Sequence, residues 1–140
     1  MIELDNQTDK TVDISQLQKI ADTLTDKEIE LILTDDETIR QINSETRQVD
    51  KATDVLSFPF DPMPMAPLGS MVISMDHVHK GAETFGHSEA DETALLFIHG
   101  LLHLLGYDHE CDEGEMREEE RKLIEKFGLP KSLIVRTEGA

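Results

Sequence analysis

Polar and apolar residues alternate through Ile2-Glu-Leu-Asp5, a period of two that predicts a half-buried β-strand. Apolar residues at 14, 17, 20, 21 and 24 then recur with a helical period, and Asp13 is placed to cap that helix. Ile29-Glu-Leu-Ile-Leu33 is rich in β-branched residues and reads as a second strand. Thr34 or Asp35 caps a second helix through Ile39 and Ile42, with acidic residues at its positive end. Val49 to Pro59 reads as a loop feeding a short strand from Asp54 to Phe58, followed by a turn rich in proline and methionine from Asp61 to Pro67.

Leu68-Gly-Ser-Met-Val-Ile-Ser74 is the next strand, and Asp76 is expected to cap a short helix reaching Gly81 to Gly86. Ser88 starts a capping box, with Asp91 or Glu92 in the first turn, ahead of an apolar helix from Ala94 to Leu105 that Gly106 ends. From Asp112 to Phe127 the chain reads as a charged amphipathic helix with Met116, Leu123, Ile124 and Phe127 on its buried side. Strands and helices interleave, but the strands are too few for a doubly wound sheet. The pattern predicts one α+β domain over residues 1–140, a small mixed β-sheet packed with about five helices.

Composition narrows the setting. No apolar run approaches a membrane span, since Ala94-Leu-Leu-Phe-Ile98 stops at a histidine. The start of the chain lacks a basic stretch followed by an apolar one, so no secretory signal is expected. Cys111 is the single cysteine, which rules out an internal disulfide and suits a reducing cytoplasm. A formal net charge of −17 repels nucleic acid and anionic membranes at long range. Salt screens that repulsion over roughly 8–10 Å, so a local site can still take a phosphate.

The chemistry concentrates in His99-Gly-Leu-Leu-His-Leu-Leu-Gly-Tyr-Asp-His109. A lone histidine on an apolar helix is ordinarily a hydrogen-bonded core residue. Here His99 and His103 stand four apart, so both imidazoles leave one helical face a turn apart. Gly106 permits a left-handed turn that brings His109 back toward them. Two buried imidazoles on one apolar face are costly without a shared partner, which makes metal ligation by His99, His103 and His109 the stronger reading. Three neutral nitrogens leave the fourth position of a zinc ion open, the mark of a catalytic site, and such an ion lowers the pKa of a bound water to about 7.

The spacing fits the long zincin signature, in which two histidines enclose a glutamate and a third follows a glycine, at every position but one. Gly100 occupies the place of the glutamate that serves as general base. Ordinary peptide hydrolysis is thereby disfavoured, and the metal cage is untouched.

The histidine segment, together with Thr53-Asp-Val-Leu-Ser-Phe-Pro59, resembles the YbeY family of bacterial single-strand-specific endoribonucleases. Asn43 and Arg47 before the Thr53 motif, and the strand ending at Ser74 after it, keep the family's order, and the resemblance runs from about Leu31 to Phe127. It implies a zincin-like fold with its metal site at the end of a central helix, one zinc ion, and cleavage of single-stranded ribosomal RNA. It also implies work in 16S rRNA 3′-end maturation and ribosome quality control, with the small ribosomal subunit as partner and no role for DNA or a membrane. Ser70 stands where the family usually has aspartate, which weakens any role for that side chain and touches nothing at the metal.

The resemblance also singles out Arg47 as a catalytic group. Arg40, Arg47 and Lys51 form a rare basic cluster in an acidic chain, and a guanidinium offers a planar fork of donors suited to a phosphate. On the residues alone, Arg47 reads better as a solvated arginine after a helix, paired with Glu45 or Asp50, and it is the resemblance that favours the catalytic reading.

The remaining candidates have plainer readings. Asp108 could orient a ligand imidazole or simply serve the turn. Ser57 could line a groove, but reads better as a strand residue facing solvent or backbone. His77, His79 and His87 read as surface histidines, Met116 as core, and Glu118-Glu-Glu120 as a solvated helix face. Cys111 is left out of the metal site. Two other functions stay open. One is a zinc peptidase using Glu110 or Asp108 as its base. The other is a non-catalytic factor, stabilised by zinc, whose acidic surface binds a basic ribosomal protein.

Overall fold

A computed structural model describes residues 1–108 and 111–130. Along the chain run β1 (Ile2–Asn6), α1 (Ser15–Leu24), β2 (Ile29–Thr34), α2 (Asp36–Arg47), β3 (Val55–Pro59), β4 (Gly69–Ser74), α3 (Met75–Phe85), α4 (Glu89–Leu104) and α5 (Glu115–Lys126). The architecture is mixed α+β, with a four-stranded sheet in the order β1-β2-β4-β3. The β1–β2 and β2–β4 pairs are parallel, and β3 joins β4 antiparallel, with Ser57 opposite Met71.

Strand alternation sorts the sheet into two faces. Ile2, Ile29, Leu31, Leu33, Met71 and Ile73 face a large core shared with α1, α3, α4 and α5. Leu56 and Val72 face the other way and pack with Ile39 of α2 in a smaller cluster. β4 is buried along its whole length, as an interior strand covered on both faces should be. α4 is apolar nearly all round and is the central helix, touching the sheet and three other helices. None of the described helices is long and apolar enough to cross a membrane.

Several helix starts shift from the expected residue because neighbouring polar side chains compete for the same orphan N–H groups. Asp13 accepts bonds from the Ser15 N–H and hydroxyl at 2.9 and 2.6 Å, so it closes a turn just outside α1 rather than capping it. Ser74, not Asp76, caps α3, its hydroxyl accepting from the His77 N–H at 3.4 Å, and Asp76 sits in the first turn. Asp35 caps α2 as expected, and the bond from the Thr38 N–H holds its carboxyl below the usual range. Ser88 caps α4 through the Asp91 N–H at 3.0 Å, and the polar first turn carries the helix back to Glu89. Asp112 lies before α5, where its carboxylate accepts from the Gly114 and Met116 N–H groups.

Candidate functional site

α4 positions His99 and His103 on the face beside β3, and the end of the helix fixes what surrounds them. Gly106, at φ +102°, lets the Tyr107 N–H return to the Leu102 carbonyl at 3.0 Å and its own N–H to the His103 carbonyl at 3.0 Å. This double closure of a helix C-terminus through a glycine turns the chain sharply and aims the Tyr107 carbonyl back at the helix. His103 Nδ1 lies 3.0 Å from that carbonyl. A carbonyl can only accept, so the proton of His103 sits on Nδ1. His99 Nδ1 lies 2.7 Å from Glu120 Oε1, a carboxylate reaching in from α5.

Both Nδ1 atoms are therefore donors, and both Nε2 atoms present lone pairs. Those Nε2 atoms converge to 3.2 Å with the rings near perpendicular at 82°. Two acceptor nitrogens so close repel unless they share a proton or a cation. Adjacent corners of a tetrahedron with Zn–N distances of about 2.0–2.1 Å are separated by roughly 3.3 Å, so the pair suits a zinc ion. His109 and Glu110 lie outside the described residues, and among the described residues no group of three potential ligands forms.

The imidazoles open on a cleft of about 540 Å³ lined also by Arg47, Thr53, Asp54, Ser57, Tyr107 and Asp108. Arg47 ends α2, across the cleft from α4. Its Nη2 donates to the Ser57 carbonyl at 3.1 Å and its guanidinium lies 5.7 Å from the Phe58 ring centre. Among the described residues it forms no ion pair. Asp50 pairs instead with Arg40, which Glu37 also holds and whose pKa the two carboxylates raise, so the basic cluster read from the sequence reduces to Arg47 at the cleft.

β3 forms one wall and the edge of the described sheet. Bonds from the Ser74 N–H to the Asp54 carbonyl and from the Phe60 N–H to the Leu68 carbonyl turn its even-numbered backbone toward β4. The odd-numbered backbone groups then face the open edge. There the Asp54 carboxylate takes the Val55 N–H at 2.8 Å, Arg47 takes the Ser57 carbonyl, and Pro59 has no N–H to offer.

The sequence profile of the endoribonuclease YbeY family matches residues 2–128. A protein named endoribonuclease YbeY from Nautilia profundicola is 64% identical over 138 residues, covering 99% of both chains. The chain belongs to the endoribonuclease YbeY family. A relative of that name from Sulfurimonas denitrificans is 60% identical over 99% of this chain and 100% of its own. One from Helicobacter pylori is 55% identical over 99% of each chain. The solution structure of TM1509 from Thermotoga maritima superposes with a TM-score of 0.63 at 26% identity, covering 91% of this chain and 89% of that one.

Within this YbeY-family chain, His99, His103 and Arg47 share one cleft, and Asp108 and Ser57 line it too. The carboxylate on the His99 imidazole is Glu120, and the Asp108 carbonyl closes the turn to Cys111 and Asp112. Glu120 is only 2% exposed, so the acidic run is not wholly a solvated face. Its spacing after Met116 and before Ile124 places it on the apolar side of α5, and that misplaced charge was the available signal. Removing it tests its worth. If the imidazole pair holds zinc, Glu120→Gln should weaken that binding by about 10–100-fold, read by competition with a chromogenic chelator, because the ring loses its charged anchor.

His87 also departs from its surface reading. Gly86, at φ +71°, ends α3 and folds His87 against Glu92 at 2.9 Å, with both side chains at most 2% exposed. His79 is exposed between Glu83 and Glu89, and His77 is half-buried against Asp36 at 2.5 Å. Burial opposes ionisation of Asp36, but bonds from Ser74 and His77, with the charges of His77 and Lys80, outweigh it and hold its carboxyl below the usual range. Met116 is core, Cys111 is exposed, and Ser70 sits on the sheet face turned away from α4.

Gly100 has a packing reason as well as a chemical consequence. A Cβ there would lie 2.8 Å from Met71 Sδ and 3.1 Å from its Cγ, and Met71 is fully buried. Gly100→Ala gains about 1 kcal/mol in helix propensity but incurs an overpacking penalty of about 1–3 kcal/mol, a small net loss. Gly100→Glu adds an uncompensated buried charge and should cost about 3–5 kcal/mol in urea unfolding. A Gly100→Glu variant as stable as the parent would show that the α4–β4 packing does not require glycine.

Proposed function

We propose that this protein is a zinc-dependent endoribonuclease that cuts single-stranded RNA, acting on the small ribosomal subunit in 16S rRNA 3′-end maturation and ribosome quality control in the cytoplasm. The observation that carries the reading is a single cleft holding a converging imidazole pair on one wall and Arg47 on the other. His99, His103 and His109 would hold the ion in a zincin-like arrangement. Bound there, zinc supplies a Lewis acid for a phosphodiester oxygen and acidifies a water.

The protein's own groups supply the rest. Glu120 and the Tyr107 carbonyl keep both ligand rings in the Nδ1–H tautomer. Arg47 spends one N–H on Ser57 and has further donors for a phosphate, whose charge grows as water attacks. Phosphoryl transfer runs largely on positioning and electrostatics, so the glycine at 100 is tolerable where peptide hydrolysis would need a base.

The test is to offer the zinc-loaded protein a labelled single strand, its duplex and casein, with and without a chelator. Only the single strand should be cut, and chelation should stop it until zinc is returned. Casein cleavage would replace the nuclease with a peptidase. A folded, zinc-loaded protein inert on all three would point to the non-catalytic ribosome factor.

A further inference from the structure

Ser57 makes two bonds in opposite directions. Its hydroxyl donates to the Gly100 carbonyl at 3.0 Å, across 43 residues of sequence, and its own carbonyl accepts from Arg47 Nη2 at 3.1 Å. The residue is 8% exposed, and its cross-strand partner is Met71, the side chain that packs against Gly100. Gly100 lies in the turn of α4 between His99 and His103. Two successive hydrogen bonds thus join the guanidinium at the cleft to the helix that carries both imidazoles.

The hydroxyl bond is not needed to satisfy the helix. The Gly100 carbonyl lies inside α4, where the N–H four residues on already serves it. An alanine at position 57 would leave no buried hydroxyl to satisfy, so fold stability alone gives weak reason for serine. What alanine would remove is a direct side-chain tie between this edge strand and the helix. β3 is hydrogen-bonded into the sheet on one side only, by β4, and otherwise packs on α4 and α2 through apolar contacts, which fix its place but leave room for a shift of tenths of an ångström without unfolding.

We infer that Ser57 is a positioning residue, fixing the distance between Arg47 and the histidine pair by tying β3 to α4. It touches no substrate in this role and acts through Arg47. The kinetic consequence rests on the RNA-cleaving reading above, whereas the positioning itself does not.

The experiment has two arms. In the first, the Nε–H resonance of Arg47 in ¹⁵N-arginine-labelled protein is followed without substrate. It should keep one position and order in the parent and in Ser57→Thr, which keeps the hydroxyl, and should be displaced and less ordered in Ser57→Ala, because the backbone carbonyl that Arg47 holds then moves with β3. The same position and order in all three overturns the inference, whatever the protein cleaves. In the second, Ser57→Ala should lower kcat on single-stranded RNA about tenfold, with KM and zinc content within about twofold of the parent and with recovery in Ser57→Thr. In an Arg47→Ala background the same change should cost less than about twofold, because residues acting as a unit are not additive. An undiminished tenfold loss there, or no loss in the parent, overturns it. A parent that cuts no RNA, with Arg47 ordered only when a hydroxyl stands at 57, fails the nuclease reading and leaves the positioning standing.

Discussion

His103→Ala will abolish single-strand cleavage and zinc retention while the apo-protein keeps its helix content and thermal midpoint. His103 provides one of two nitrogens that meet at 3.2 Å, and its ring is aligned by a backbone carbonyl that alanine cannot use. Loss of a hydrogen-bonding partner around a metal ligand costs about 10–100-fold in affinity, so loss of the ligand itself should exceed that. Cleavage should fall by about 10³-fold or more. The position is only partly buried on a helix, where alanine is the best former, so the fold has little to lose. Zinc should raise the parent's stability by about 2.7 kcal/mol at a free concentration of 100 times Kd, and should do nothing for the variant. Metal content after dialysis and thermal midpoints with and without zinc decide this. A variant that unfolds when it loses zinc would make the ion structural, and one that keeps an equivalent of zinc would remove His103 from the site.

Arg47→Ala comes next in size, and it separates charge stabilisation from metal binding. The side chain touches the Ser57 carbonyl and the Phe58 ring, and neither is a core contact whose loss would unfold the domain. Zinc affinity should therefore stay within about twofold. The cleavage rate should fall by about 10²–10³-fold, the usual effect of deleting one donor that meets charge developing in a transition state. Arg47→Lys should recover only part of it, since an ammonium lacks the fork that can hold Ser57 and a phosphate together. If alanine raises KM alone and leaves kcat intact, Arg47 merely helps bind the RNA. If zinc is lost as well, the arginine is part of the structural frame and its catalytic role falls.

The acidic chain gives this arginine weight. Against a net charge of −17, a phosphate is favoured only where a cation stands close enough to beat the screened field. Arg40, the other guanidinium read as part of a cluster, is consumed by Glu37 and Asp50. Distinguishing the two from the sequence was not feasible, because both stand within reach of acidic neighbours on the same helix. Only the packing of α2 against the sheet assigns one to its own helix and loop and the other to the cleft.

What the sequence determined by itself is the set of features governed by local spacing. Residues four apart share a helical face, which placed His99 beside His103. A glycine past the last apolar turn ended α4, alternation chose the faces of β1, Ser88 capped α4, and the cap of α2 was narrowed to Thr34 or Asp35, of which Asp35 serves. Tertiary structure alone decided everything that depends on which distant segments touch. It turned Glu120 from an expected surface charge into the buried anchor of His99, drew His87 inward onto Glu92, and placed Ser57 between Arg47 and Gly100. It also gave Gly100 a steric reason, through Met71 of β4, that the motif comparison could read only as a missing base. The reason is common to all of these. Helical and strand periods are set by backbone geometry a few residues at a time, whereas a buried carboxylate or hydroxyl is explained only by the partner that folding brings to it.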